Sequence, residues 1–270
     1  RVTSGTQDNG SQMYYGDSNT WFEWQGGDGG YSGWDQQQGQ YVYGSYVEGA
    51  MYGSKDRGAT AESMELPDTE GAAFIQPLVL DENNGNRMMV GTDNVFYTSN
   101  ARSLENATWT DVSDTLDGSS VSALAFNPND NNQAFVGTDR GKIYKIEGFG
   151  GSNTVTDITP SLVAGQSYKR ATVTDLKVSP NNRLYATLGD YTHHRLISSN
   201  GNDKIWQSES ADLPDMPLFQ ISFDPRNPDQ MFVGSELGLW ASTGSGWERY
   251  AYDVAYTRVI DLVWHGQDTL

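Results

Sequence analysis

The sequence predicts an all-β fold, a β-propeller of about six four-stranded antiparallel blades, and three observations predict it. Five stretches recur, YVYGSY, MMVGTD, AFVGTD, LYATLGD and MFVGSE, anchored at Gly44, Gly91, Gly137, Thr187 and Gly234 with spacings of 47, 46, 50 and 47 residues. Each anchor is flanked by short alternating apolar runs divided by polar turns, and helical periodicity is almost absent. A period of about 45 residues holding four short strands is the pattern of one propeller blade.

Within a repeat the first strand is an alternating run: PLVLD (77–81), SALAFNP (122–128), TDLKVSP (174–180) or QISFDP (220–225). A turn such as NPNDNNQ or DPRNPDQ follows, whose Pro, Asn and Asp suit a tight hairpin. The anchor strand comes next. A third strand reads NVFYTS, GKIYKI, HRLISS or GLWAST, and a fourth carries Trp109, Val155, Trp206 or Trp247. The opening RVTSGTQDNG reads as a second strand anchored at Gly5, and the closing VIDLVWHGQDTL as a first strand with its turn. The two ends are therefore expected to share one terminal blade, 259–264 beside 1–5, which pairs edges that would otherwise be exposed. The chain reads as a single domain, 1–270; if its ends are cuts in a longer precursor, the ring has seven or more blades.

Composition narrows the partners. With 35 Asp plus Glu against 17 Lys plus Arg, the formal charge is -18, so nucleic acid and anionic membrane surfaces are repelled. Sugars, proteins and cations are the expected ligands. The chain has no cysteine, and no apolar run approaches the length of a membrane-spanning helix, so no membrane insertion is expected. An acidic excess with many Asn, Gly, Ser and Thr is common in secreted bacterial proteins. An extracellular or cell-surface location is the expectation, with other domains of a larger surface protein as further partners.

After the third strand GAMYG stands SKDRGAT, which is Ser54-x-Asp56-x-Gly58-x-Thr60. It resembles the Asp-box, Ser-x-Asp-x-Gly-x-Thr-Trp, of the BNR-repeat propellers found in sialidases, sortilin-like receptors and xyloglucanase-like glycosidases; here Ala61 replaces the tryptophan. TSNARSLENATW (98–109), SSNGNDKIW (198–206) and STGSGW (242–247) fall at equivalent turns in worn form. The box is structural: Ser and Asp side chains bond the turn backbone, Gly supplies a positive φ, and Trp packs the turn onto its blade. GTQDNG, then W-x-x-W-Q-GGDGG and YVYGSY, also resemble a passage of secreted bacterial sortilin-like and BNR-repeat proteins often labelled glycosyl hydrolases. The resemblance implies a propeller, in a group that includes both enzymes and receptors. Xyloglucanase-like members use two opposed aspartates and sialidases three arginines; none of the eleven arginines here forms a recognisable triad pattern.

In a propeller the turns between second and third strands open on the face that usually carries sites. Asp8, Asp93, Asp139, Asp190 and Glu236 lie just after the anchors and are the catalytic candidates, as the acid and base of a glycosidase. They could instead hold Ca²⁺, or simply cap turn amides. Asp8, Asn9 and Asp28 combine carboxylate and carbonyl oxygens with flexible glycines and are the candidate metal ligands. Trp21, Trp24, Tyr31 and Trp34 are the candidate ligand-binding aromatics, since exposed rings stack on sugar faces, while core packing competes for the same residues. Of His193 and His194, neighbours on the chain, at most one could reach a given site. The favoured expectation is a non-catalytic module binding a carbohydrate, protein or cation; the alternative is a glycoside hydrolase.

Overall fold

The computed structural model describes residues 2–16, 19–113, 116–149, 152–163, 166–167, 170–191, 194–250 and 256–264. His193 lies outside the described residues. Six sheets follow one another along the chain. The first holds β1 (Val2–Thr6), β2 (Gly10–Tyr14) and β3 (Phe22–Gln25). The second holds β4 (Ser32–Trp34), β5 (Val42–Ser45), β6 (Met51–Ser54) and β7 (Glu62–Ser63), and the third β8 (Leu78–Asp81), β9 (Asn84–Gly91), β10 (Val95–Thr98) and β11 (Thr110–Asp111). The fourth runs β12 (Val121–Phe126), β13 (Gln133–Thr138), β14 (Ile143–Glu147), β15 (Thr154–Asp157).

A hairpin, β16 (Leu162–Val163) and β17 (Gln166–Ser167), then extends the fifth sheet, whose core strands are β18 (Val173–Val178), β19 (Leu184–Leu188), β20 (Leu196–Ser199) and β21 (Ile205–Ser208). Strand β16 runs parallel to β21. The sixth sheet is β22 (Leu218–Asp224), β23 (Asn227–Ser235), β24 (Gly238–Ser242) and β25 (Trp247–Tyr250). Each meander is antiparallel, as hairpin turns of a few residues require. No helix among the described residues is long and apolar enough to cross a membrane.

Residues 1–133 and 146–155 form one compact unit, and 134–145 and 156–270 another. In the first unit Tyr43, Met51, Met64, Leu78, Met88, Val90 and Leu104 pack one cluster, and Met13, Trp24 and Val42 a second. In the second unit Leu196, Leu213, Leu218, Ile221, Val233 and Trp247 pack together. Each such side chain withdrawn from water contributes about 1.5–3 kcal/mol.

The structure gives the anchors a reason. A Cβ on Gly91 would stand 2.5 Å from Val121 Cγ1 at the start of β12, and one on Gly234 2.5 Å from the carbonyl oxygen of Val259. Gly91 thus lets the next repeat's first strand approach closely, and Gly234 the segment 259–264. At Thr187 the hydroxyl shares a 2.8 Å hydrogen bond with that of Thr174 on the first strand of its own sheet, and Thr174 donates to Leu218 O (2.7 Å) on the next repeat's first strand.

The first sheet has three strands, and residues 259–264 belong to no sheet. Instead, Val259 N–H donates to Ser235 O (2.9 Å), Leu262 N–H to Gln220 Oε1, and Trp264 Nε1 to Ser222 Oγ (2.9 Å), so this segment lies along the sixth sheet. A pairing of 259–264 with β1 is not among the strand pairings of the described residues.

The first unit holds one buried ion pair within its third sheet and another between its second and third. Arg87 on β9 donates to Asp81 Oδ2 (2.5 Å), Tyr97 Oη (3.0 Å) and the carbonyl of Asn131 (2.6 Å), with its guanidinium 5.1–5.6 Å from the ring centres of Tyr97, Phe126 and Phe149. Asp35, just after β4, receives Arg102 Nε at 2.7 Å, while its other oxygen accepts the N–H groups of Gln37 (2.8 Å) and Gln38 (2.9 Å). Arg102 stands on the 3₁₀ segment Ala101–Asn106, the insertion within TSNARSLENATW. Leu104, in the left-handed region at φ 50°, drops from the same insertion into the core.

Candidate functional site

The turns between second and third strands carry the predicted carboxylates, each where its repeat places it: Asp8 between β1 and β2, Asp93 between β9 and β10, Asp139 between β13 and β14, Asp190 between β19 and β20, Glu236 between β23 and β24. Their surroundings differ. Glu236 has the most developed setting: its Oε2 accepts the hydroxyl of Tyr191 at 2.5 Å, and Arg258 Nη2 stands 3.7 Å from its Oε1. Arg258 in turn lies over the Phe219 ring, 5.0 Å from its centre. Tyr191 is 64% exposed, and donation to Glu236 raises its pKa, so the phenol stays protonated at neutral pH. On the neighbouring turn, the carbonyl of Asp139 accepts the Thr172 hydroxyl at 3.0 Å.

In the first unit the two glycine-rich stretches meet backbone to backbone. Gly10 N–H donates to Gly27 O (2.6 Å) and Gly29 N–H to Thr6 O (3.1 Å), and a Cβ on Gly29 would collide with Gly10. Asp28 Oδ1 accepts the N–H of Asp8 at 2.8 Å, and Asn9 Nδ2 donates to Gln7 O at 3.1 Å. These side chains act as turn caps. Among the described residues, no group of three His, Asp or Glu is placed to hold a metal ion.

The four predicted aromatics separate. Trp21 is 46% exposed and stacks on Tyr14, centres 5.4 Å apart and planes at 28°. Trp24 is buried with Met13 and Val42. Trp34 donates Nε1 to Gly39 O (2.9 Å) and meets Tyr15 edge-on at 6.0 Å. Tyr31 is exposed before β4, where its carbonyl accepts Ser45 N–H (2.7 Å), so Tyr31 and Trp34 bracket opposite ends of that strand.

The Ser54–Thr60 turn closes on itself. Ser54 Oγ accepts Gly58 N–H (2.8 Å) and donates to Asp56 Oδ1 (2.8 Å); Asp56 accepts Thr60 N–H (2.9 Å) and the Thr60 hydroxyl (2.7 Å). The backbone and hydroxyl of Thr60 and the Ser54 hydroxyl hold the Asp56 carboxyl below the usual range. Gly58 takes φ +80°, and a Cβ there would stand 2.8 Å from Trp24 Cβ. Trp24 of the first sheet thus covers the turn that Ala61 leaves without its own tryptophan. The turn after β10 repeats the pattern with Asn100: it accepts the Thr98 hydroxyl (2.8 Å), Thr108 N–H (2.8 Å) and the Thr108 hydroxyl (3.0 Å).

One carboxyl that the sequence did not single out is chemically distinctive. Asp175 on β18 keeps some exposed area, yet protein surrounds it so closely that loss of hydration pushes its pKa up to about 7, with the charge of Asp261 adding to the rise. Opposing this, the N–H groups of Ile221 (3.0 Å) and Leu176 (2.9 Å) each donate to one of its oxygens. Gln220, one residue before Ile221, accepts Leu262 N–H in the same way. The pair forms a ladder in which a first-strand side chain binds the backbone of the next repeat.

No family model and no curated protein sequence matches the chain. Solved structures do. The GH74 xyloglucanase from Xanthomonas campestris superposes with a TM-score of 0.69 at 15% identity, over 93% of this chain and 43% of that one. An ancestral GH74 enzyme gives 0.64 at 16% identity, over 85% and 32%. YCF48 bound to D1 peptide gives 0.54 at 14%, over 82% and 67%. This chain therefore spans less than half the length of the two GH74 chains. Six consecutive antiparallel sheets with these neighbours make the fold a β-propeller.

Proposed function

We propose that this propeller is a secreted or cell-surface binding module, a part of a larger surface protein, that recognises a cationic peptide segment of a protein partner through the two turns that carry Tyr191 and Glu236. One observation carries the reading: both oxygens of Glu236 are engaged, by a tyrosine hydroxyl and an arginine, on an exposed turn. A carboxylate so held is preorganised to receive a lysine or arginine in place of Arg258, and the exposed Tyr191 ring offers that cation a π face. The net charge of -18 steers such a ligand inward.

Isothermal titration with acetylated hexalysine amide tests this. Glu236→Ala and Tyr191→Ala are each expected to weaken binding about tenfold, the equivalent of about 1.4 kcal/mol, while Glu70→Ala on an exposed loop of the first unit leaves it unchanged. Equal losses from all three variants would mean that bulk charge alone attracts the peptide.

A second reading, a glycoside hydrolase, rests on Asp175, whose pKa of about 7 is what a general acid needs. Against it, each Asp175 oxygen already holds a backbone amide.

A further inference from the structure

At the opposite end of the first unit's strands from the Asp8 turn, we infer that a second binding site takes a neutral oligosaccharide. Tyr15 after β2, Phe22 and Glu23 at the start of β3, and Asp56, Arg57, Gly58 and Ala59 in the turn from β6 to β7 line a groove of about 590 Å³. That volume lies within the range of ligand clefts, about 300–1,000 Å³, and suits a few sugar rings.

The floor is aromatic and fixed. Tyr15 is pinned by its hydroxyl, which donates to Arg57 O, and by Trp34 edge-on at 6.0 Å. Phe22, 48% exposed, tilts against Tyr15 at 5.7 Å. Rings held this way lose little entropy when a ligand stacks on them.

The other wall is polar but spent. Ser54, Asp56 and Thr60 direct their hydrogen bonds inward to the turn, with Arg57 and Gly58 at φ +63° and +80°. Glu23 and the Arg57 side chain are left to bond hydroxyls at the rim. A flat apolar face beside mixed donors and acceptors matches a sugar, which has an apolar face and an equatorial belt of hydroxyls. With Glu23 and Asp56 beside it and a chain charge of -18, the groove disfavours uronic or sulfated glycans.

The test is tryptophan fluorescence and calorimetry of the whole chain with cellohexaose, xylohexaose, mannohexaose and maltohexaose, using hexagalacturonate as the anionic control. At least one neutral hexasaccharide is expected to bind and to shift the emission, and the anion is not. Phe22→Ala and Glu23→Ala should each weaken that binding at least about tenfold, and both residues are exposed enough that the melting temperature should hold. Failure of all four neutral sugars, binding of the anionic sugar as tight as theirs, or binding indifferent to both substitutions would overturn the site. A lysine-peptide response that Phe22→Ala weakens, with no sugar response, would likewise assign the aromatic surface to a protein partner.

Discussion

Replacing Arg87 by alanine is expected to destabilise the first unit by about 3–5 kcal/mol, the range for removing one partner of a buried ion pair. The side chains of Arg87 and Asp81 are 10% and 3% exposed, so the substitution would strand the Asp81 charge away from water. It would also leave the Asn131 carbonyl and the Tyr97 hydroxyl without their donor, and empty the space between three rings. At about 2–4 °C per kcal/mol for a unit of this size, the melting temperature should drop by roughly 10 °C. The double substitution Arg87→Met with Asp81→Asn should recover a large part of the loss, because no unpaired charge remains. A drop below about 1 kcal/mol for Arg87→Ala would mean that water reaches Asp81.

Asp35→Ala is expected to cost a similar amount at neutral pH, and its cost should vary with pH. Burial alone would raise the Asp35 carboxyl, but Arg102 and the N–H groups of Gln38 and Gln37 together hold it below the usual range. A carboxyl whose folded pKa is depressed stabilises the fold fully above its unfolded value of about 3.9, and loses that contribution as pH falls through the folded value. The stability gap between wild type and Asp35→Ala should therefore be constant from about pH 6 to 8 and narrow below about pH 4. Chemical denaturation at a series of pH values measures it, and a gap that widens on acidification would contradict the assignment.

Much of the architecture was legible because the repeat is enforced by close approach. Gly91 and Gly234 cannot carry a side chain where the chain of the following segment passes, so they stand as anchors that the period reveals. The Ser54–Thr60 turn was legible for a related reason: its bonds run between residues two to four apart, and local sequence encodes local contacts. Contacts between repeats were not legible. Nothing near Ala61 announces that Trp24 of the first sheet covers its turn, and nothing near Asp175 announces the amide of Ile221, 46 residues on.

A second periodic signal runs through the sequence. Four residues before each anchor stands Gln40, Arg87, Gln133, Arg183 or Gln230. Arg87, Arg183 and Gln230 bind the third strand of their own sheet, through the Tyr97 hydroxyl, the Ser198 hydroxyl and the Ser242 carbonyl. A long polar side chain at a fixed offset in alternating apolar strands marks a latch across the sheet.

The aromatics near the start divided because the strand is irregular: in β3, Phe22 is exposed and Trp24 buried although strict alternation would put residues two apart on one face, and the register between β2 and β3 shifts between Ser11 and Gln12, opposite Trp24. Composition alone offered the cluster. Only the register assigned Trp21 and Phe22 to solvent and Trp24 to the core.

The central claim is that the carboxylates of this propeller hold ligands and backbone rather than cleave bonds. The most direct measurement is reducing-sugar release from the four neutral hexasaccharides and hexagalacturonate by the wild type, Glu236→Gln and Asp175→Asn, followed over a day at pH 5 and pH 7. The account predicts no release above buffer from any of the three proteins. Release by the wild type that Asp175→Asn or Glu236→Gln abolishes, with the fold intact by circular dichroism, would contradict it and make the chain a glycoside hydrolase.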